Sequence, residues 1–224
     1  MSITRHNGSR GRRTRWVTHA PLLLGAAALL ALGAAAARAD EPDAAARAHA
    51  QRIAVTVCGT CHGADGNNMN PKYPRLAGQN ANYLAAQLKA FRAQTRGDPD
   101  AIGYMWGMAS QLDDDTIQAL AAYYSAQKAE PSASGDSATV GHGRQIYQQG
   151  VAAQGVPACS SCHGPDAHGL QDFPRLAGQH AQYVLKQLAS FQSNMRNVAI
   201  MHGVAQNLNL ADMDAVAAFL ETQR

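Results

Sequence analysis

The stretch Cys58-Gly59-Thr60-Cys61-His62 returns later in the chain as Cys159-Ser160-Ser161-Cys162-His163. In each copy, two thiols stand three positions apart and a histidine directly follows the second thiol. Covalent haem attachment needs this spacing, because each thiol bonds one vinyl group of the ring and the histidine then reaches the iron. The sequence therefore predicts two covalently bound haem c groups, attached through Cys58, Cys61, Cys159 and Cys162, with His62 and His163 as iron ligands.

A zinc site and a thioredoxin-like redox pair are the competing interpretations of a Cys-x-x-Cys motif. Zinc ligand pairs are usually about 12 to 20 residues apart, whereas these two motifs start 101 positions apart and each carries its own histidine. A thioredoxin-like pair requires a βαβ context, which the sequence does not indicate. The chain contains 4 cysteines, all within the two motifs, so no disulfide is expected.

An internal repeat indicates two domains. The hexapeptide 74–79, Pro-Arg-Leu-Ala-Gly-Gln, returns unchanged as 174–179, and a Tyr-x-x-x-Gln-Leu-x-x-Phe pattern follows each copy. Each half thus carries one haem motif, one Pro-Arg-Leu turn and one helix. A segment rich in serine, with Pro131 and Gly135, separates the halves and is typical of a linker. We predict domains at 40–128 and 140–224, joined by a linker at 129–139.

The first 39 residues predict an export signal. They contain six of the nineteen Lys and Arg residues and no acidic residue, and a long uncharged run ends in the small-x-small sequence Ala37-Arg38-Ala39. A retained membrane anchor is the alternative, because the run approaches the length of a membrane span. Without this segment thirteen basic and sixteen acidic residues remain, a net charge of about −3. The mature chain is therefore not expected to bind nucleic acid.

Apolar residues recur at helical spacing and no strand pattern is convincing, so the sequence predicts an all-α fold. Asp113 and Asn209 are the expected N-caps of the last helix of each half. Domains of this size bury little apolar surface unaided, so the haem is expected to form the middle of each core. The predicted helices are Asp43 to Val57, Asn80 to Gln94, the helix after Asp113, Val140 to Gln149, Ala181 to Met195, and Ala211 to Thr222.

The repeat also indicates the second axial ligand of each iron. When the halves are aligned on the leucines that precede Asp113 and Asn209, Met105 falls on Met201, and no other methionines coincide. Because a thioether suits haem iron, we predict Met105 and Met201 as ligands. The other candidates are Met108 and, less central, Met69 in the first half, and Met195 and His202 in the second. Three methionines are then expected to fill the cores, namely Met108, Met195 and Met213.

Other repeated residues are candidates for the haem surroundings. The carbonyl groups of Pro74 and Pro174 can accept the Nδ1 proton of the motif histidine, although a plain turn proline is equally consistent. Arg75 and Arg175 are expected to pair with haem propionates. Two repeated tyrosines have either a similar role or a role in core packing, and four histidines without counterparts are expected at the surface. These residues are Tyr83 and Tyr183, and His49, His142, His168 and His180.

These motifs together resemble the dihaem cytochrome c4 family, over about residues 46 to 219. The resemblance implies two tandem class I cytochrome c domains about a pseudo-twofold axis, each iron low-spin with His/Met ligation. It further implies a bacterial periplasmic carrier without enzymatic activity, soluble or loosely bound to the membrane, that passes electrons from a quinol-oxidising complex of the bc1 type to a terminal oxidase. One departure from the family is the start of the last helix, Asn209-Leu210-Ala211-Asp212, which leaves that boundary open.

One alternative remains open within the resemblance. The dihaem cytochrome subunits of periplasmic dehydrogenases, such as flavocytochrome c sulfide dehydrogenase, look similar to this chain. A dihaem peroxidase would require one iron without methionine, which the paired methionines do not favour.

Overall fold

The computed structural model describes residues 43–130 and 137–224. The predicted signal peptide and the centre of the predicted linker lie outside these ranges. The described chain is helical, and its one pairing of extended residues is an isolated bridge between Val151 and Val156. These observations confirm the all-α prediction. None of the helices in the described ranges is long and apolar enough to cross a membrane.

The first half is built around a continuous helical segment that ends in the first haem motif. Helix α1 passes without a break through a π-helical turn, π1, into the single turn α2, which carries His62. The predicted helices are all present, whereas the short elements π2 and α4 were not predicted. The elements are α1 (Ala44–Ile53), π1 (Ala54–Cys58), α2 (Gly59–His62), α3 (Ala81–Arg92), π2 (Ala101–Met105), α4 (Trp106–Ala109) and α5 (Asp114–Ser125).

The second half repeats this order, but a loop separates its first helix from the motif and neither π-helical turn recurs in residues 137–224. Helix α6 ends at Gln149, the next residue Gly150 has a φ of 71° in the left-handed region, and a short loop then leads to the motif. A Cβ atom at Gly150 would lie 2.2 Å from the carbonyl oxygen of Val156, so the loop requires glycine there. The elements are α6 (Ala138–Gln149), a 3₁₀ turn (Ala152–Gln154), α7 (Ser160–His163), α8 (Ala181–Gln192), α9 (Ala199–Ala205) and α10 (Leu210–Thr222).

Side-chain caps set the starts of the terminal helices. Asp113 accepts a hydrogen bond from the backbone of Thr116 at 2.7 Å, and Asn209 accepts one from Asp212 at 2.9 Å, as predicted. Asn209 also donates its amide to the Asp212 carboxylate at 2.8 Å, so α10 begins directly at Leu210. Ser137 caps α6, which therefore starts inside the segment predicted as linker.

Reciprocal hydrogen bonds join the two Pro-Arg-Leu-Ala-Gly-Gln turns. The Gln79 amide accepts from the backbone N–H of Arg175 at 2.8 Å and donates to its carbonyl at 2.8 Å. Gln179 makes the same pair of bonds with Arg75, at 2.9 and 3.0 Å. Such exchange of equivalent contacts is what a twofold axis generates, so the repeated glutamine holds the two halves together.

Candidate haem sites

The motif histidines are prepared to bind a metal through Nε2. The Nδ1 atom of His62 lies 2.9 Å from the Pro74 carbonyl oxygen, and that of His163 lies 3.1 Å from the Pro174 carbonyl oxygen. Because a carbonyl can only accept, each Nδ1 carries the proton and each Nε2 keeps its lone pair. Burial lowers the pKa of both histidines, with partial compensation from these bonds, and so favours the neutral ring.

The cysteines of each motif lie on one helical face beside the core. Cys58 ends π1 and borders the first apolar core, while Cys159 caps α7 and borders the second. Residues three apart on a helix are neighbours, so each pair of thiols faces the same side. Burial raises the pKa of Cys58 and raises that of Cys159 to about 11, so these thiols are protonated at neutral pH. All four thiols are free of disulfides, as expected.

The two predicted methionine ligands are half-buried at equivalent places. Met105 ends π2 and packs against a buried cluster of Phe91, Ala101 and Ala109. Leu88 and Leu112 border both this cluster and the core that Cys58 flanks. Met201 lies in the first turn of α9 and packs against the same core as Cys159. Each predicted methionine ligand thus lies at the edge of a buried apolar cluster in its own half.

The residue after each methionine anchors its segment, a role that the sequence analysis missed. Trp106 donates its ring N–H to the Arg96 carbonyl at 2.8 Å, and His202 Nδ1 lies 2.8 Å from the Phe191 carbonyl. Trp106 thereby ties its methionine segment to the loop after α3, and His202 ties its segment to the last turn of α8. The equivalence of Trp106 and His202 in the aligned halves was the signal available in the sequence.

The core role predicted for the remaining methionines is wrong for two of them. Met213 is 1% exposed and lies in the second core, but Met108 is 49% and Met195 53% exposed. Met108 lies on the single turn α4 and Met195 follows the end of α8, so neither has a helical face covered by the core. Their exposure also distinguishes them from the half-buried Met105 and Met201.

Arg75 and Arg175 lie in different environments. The Arg75 guanidinium donates to the carbonyl oxygens of Asn68 at 3.3 Å and Glu130 at 2.8 Å. Nε of Arg175 is buried and has no hydrogen-bond partner among the described residues. Desolvation without a compensating anion lowers the pKa of Arg175. Arg175 therefore has an unused donor for a carboxylate, whereas Arg75 is already bound to backbone.

The described residues fit covalently bound haem. The histidines offer an unprotonated Nε2, the thiols are unpaired, and Arg175 has a buried donor without a partner. In the described ranges no cluster of three or more His, Cys, Asp or Glu side chains is arranged as a metal site.

A buried polar network joins the two halves beside these sites. The Arg96 guanidinium donates to Gln87 and to Gln187 at 2.8 Å, and Arg196 donates to the same two oxygens at 2.9 and 2.8 Å. Asp98 pairs with Arg96 at 2.7 Å, accepts a longer hydrogen bond from the Gln187 amide at 3.4 Å, and is 2% exposed. Burial alone would raise the pKa of Asp98, but the Arg96 charge outweighs this effect and lowers it. Sequence analysis missed this network.

Three residues predicted for other roles take part in contacts between the halves. The Tyr83 hydroxyl accepts from Arg196 at 2.8 Å, and that of Tyr183 accepts from Arg96 at 3.3 Å. Burial would raise the pKa of Tyr83, but the charges of the two arginines lower it. His180, predicted at the surface, is 4% exposed, and its Nε2 donates to the Asn68 carbonyl at 3.1 Å. That prediction is wrong because packing of the halves covers the start of α8.

Comparison with known proteins agrees with this geometry. The family model for cytochrome c matches residues 48–127 and again 140–224. A cytochrome c4 of Stutzerimonas stutzeri is 40% identical over 178 residues, which cover 75% of this chain and 84% of the relative. The solved structure of a cytochrome c4 from Acidithiobacillus ferrooxidans is 41% identical, with a TM-score of 0.70 over 74% of this chain and 97% of that chain.

The chain belongs to the dihaem cytochrome c4 family. It therefore binds two covalent haem c groups in two tandem cytochrome c domains, and it is an electron carrier rather than an enzyme. A second kind of relative is also similar: a protein of Stutzerimonas stutzeri strain A1501 named thiosulfate dehydrogenase electron acceptor is 48% identical over 173 residues, 74% of this chain and 78% of the relative. Redox proteins are thus the partners that the cytochrome c4 family and this relative indicate.

Proposed function

We propose that this cytochrome c4 is exported to the periplasm, where it carries electrons from a quinol-oxidising complex of the bc1 type to a terminal oxidase. The basic, acid-free leader with its small-x-small ending supports export. The observation that carries the proposal is that each half supplies one histidine with a free Nε2 and one half-buried thioether at matching places. Two such ligands leave no position open for a substrate.

Each residue then has a definite role. Cys58, Cys61, Cys159 and Cys162 tether the two haems, while His62 with Met105 and His163 with Met201 supply the axial ligands. Bound haem c supplies an iron that alternates between two oxidation states and so stores one electron in each domain. The methionine thioethers favour the reduced state and keep both potentials high.

The surrounding residues keep this ligand set in place. The carbonyls of Pro74 and Pro174 hold each histidine in the tautomer that leaves Nε2 free. Arg175, with its unused buried donor, is the better candidate for a propionate partner, and Arg75 is the weaker one. The bonds of Gln79 and Gln179 hold the two domains at a fixed separation, which electron transfer between them requires.

A second candidate partner is a periplasmic dehydrogenase. The 48% identical relative that is named as an electron acceptor of thiosulfate dehydrogenase favours it. In this case the same two sites would receive electrons from the dehydrogenase instead of from quinol. The chemistry of the chain is unchanged, and the two proposals differ only in the protein that docks.

Reduction kinetics of the purified holoprotein test the proposal. With bc1-containing membranes and quinol, we expect rapid reduction that a bc1 inhibitor stops, followed by reoxidation when oxidase-containing membranes are added. Rapid reduction by thiosulfate dehydrogenase and thiosulfate, with no response to quinol, would instead support the dehydrogenase partner. Carbon monoxide binding to either reduced site would contradict the closed ligand set.

A further inference from the structure

Asn68 touches the carbonyl group that holds the first motif histidine. Its side-chain amide donates to the Pro74 carbonyl at 3.0 Å and to the Tyr73 carbonyl at 3.2 Å. The Pro74 carbonyl is the same oxygen that lies 2.9 Å from His62 Nδ1. Asn68 is 8% exposed, so both amide hydrogens are used inside the protein.

The backbone of Asn68 is held from three directions. Its N–H donates to the His62 carbonyl at 3.2 Å. Its own carbonyl accepts from Arg75 Nε at 3.3 Å and from His180 Nε2, on the second half of the chain, at 3.1 Å. The backbone from which the Asn68 side chain extends is therefore fixed. The two N–H donors of the side-chain amide can then hold the backbone of residues 73–74 in place.

The second half has no side chain that donates to the Pro174 carbonyl from the equivalent position. Gly169 takes the place of Asn68, since its N–H donates to the His163 carbonyl at 2.9 Å as that of Asn68 does to His62. Gly169 has a φ of 86°, and a Cβ atom there would lie 2.4 Å from the Phe173 carbonyl. No side chain can therefore support Pro174 from this position, and the His163 to Pro174 distance is 3.1 Å instead of 2.9 Å.

We propose that Asn68 is a positioning residue that holds the Pro74 carbonyl against His62 and thereby lowers the reduction potential of the first haem relative to the second. The inference rests on the proposed role of His62 as iron ligand. A stronger Nδ1–H bond gives the ring more imidazolate character and makes Nε2 a better donor. A better donor favours the oxidised metal, so the potential falls.

A second effect of Asn68 has the opposite sign. A donor that shares the Pro74 oxygen withdraws electron density from it and so weakens its bond to His62. The shorter distance occurs in the half that contains the shared donor, 2.9 against 3.1 Å, and this comparison favours positioning over competition. The two effects predict opposite shifts, which makes the inference testable.

The test uses the full holoprotein with Asn68→Ala, and with Asn67→Ala as matched control. Asn67 is the adjacent asparagine, but its side chain binds Asp65 and the Lys128 carbonyl and does not contact Pro74. Haem methyl NMR signals followed through a redox titration give one potential for each domain. We expect Asn68→Ala to raise the first potential and leave the second unchanged, and Asn67→Ala to change neither.

NMR of the reduced wild-type protein supplies a measurement that does not depend on folding of a variant. The Hδ1 proton of His62 should resonate downfield of that of His163, and it should move upfield in Asn68→Ala. An unchanged or lowered first potential, or a His62 signal upfield of His163, would overturn the role of Asn68. If the wild-type haem count is two but His62→Ala leaves both low-spin spectra intact, the ligand proposal fails, and the role of Asn68 fails with it.

Discussion

Met105 and Met108 are three positions apart, yet their surroundings differ. Met105 packs against the buried cluster of Phe91, Ala101 and Ala109, whereas the Met108 side chain is 49% exposed. Because a ligand must face the interior that the haem occupies, we expect Met105→Ala to remove the iron–methionine charge-transfer absorption of one site and lower one potential. About half of the far-red band should remain, from the second domain, in the absorption spectrum of the oxidised protein.

Met108→Ala is the control for this prediction. The side chain is of the same type and lies on the adjacent element, so its removal should leave the whole band and both potentials in place. Loss of half of the band in Met108→Ala, with the band intact in Met105→Ala, would show that the two halves are wrongly aligned.

At the level of single residues, the sequence predicts a functional role only for residues that occur in both copies of the repeat. The thiols, the motif histidines and one methionine per half can be located because each position occurs twice. Asn68 could not be found in this way, since its counterpart is Gly169 and the carbonyl that it holds is defined only after the loop has folded. His180 was placed at the surface because nothing in its neighbourhood shows that another half will cover it.

Among the elements, the contact of α6 with α10 depends on one glycine. A Cβ atom at Gly143 would lie 1.9 Å from the Ala215 carbonyl oxygen, so the two helices touch there through backbone. We expect Gly143→Ala to separate the helices and to lower the free energy of unfolding by about 2–3 kcal/mol. Urea unfolding of the holoprotein, followed by far-UV circular dichroism, measures the change.

Gly141→Ala on the same helix is the matched control. A Cβ atom there has no atom within 4 Å beyond the helix itself, so the substitution adds only helix propensity. It should raise the free energy of unfolding by about 0.5–1 kcal/mol. If both substitutions lowered the free energy of unfolding equally, the effect of Gly143→Ala could not be attributed to its contact with α10.

Helix positions were the most predictable feature at this scale, because apolar periodicity and caps are local signals. The starts set by Asp113 and Asn209 match the prediction to within a residue. The π-helical turns Ala54–Cys58 and Ala101–Met105 were not predicted, because an extra residue in a turn leaves little trace in the apolar pattern. The loop after Gly150 was missed because the repeat suggested two identical halves.

At the scale of the whole molecule, the buried contact between the halves contains more positive than negative side chains. Arg96 and Arg196 occupy equivalent positions and share Gln87 and Gln187, but Asp98 has no acidic counterpart, since Val198 takes that place. One carboxylate thus serves a buried site that contains two guanidinium groups. The sequence repeat predicts two domains, but this network depends on how they pack, which no local pattern encodes.

We therefore expect Asp98→Asn to weaken the contact between the domains. The substitution keeps the shape of the side chain but leaves two buried cations without an anion, which should cost about 3 kcal/mol at pH 7. Calorimetry of the holoprotein should show a lower melting temperature, with the two domains unfolding in separate steps. Asp114→Asn is the control, because the Asp114 ion pair with Arg92 is exposed and its loss should change little.

The same carboxylate makes the stability of the contact depend on pH. Because Arg96 holds the pKa of Asp98 below its usual range, the folded protein keeps this group ionised at a pH where the unfolded chain, with a pKa of about 3.9, takes up a proton. The stabilisation is fully present above the pKa of the unfolded chain and is lost as the pH falls through the folded value. Melting curves should therefore separate wild type from Asp98→Asn at pH 7, and the gap should start to narrow below about pH 4 and close only when the pH is below the folded pKa of Asp98. A gap that persists at low pH would show that the substitution acts through packing and not through charge.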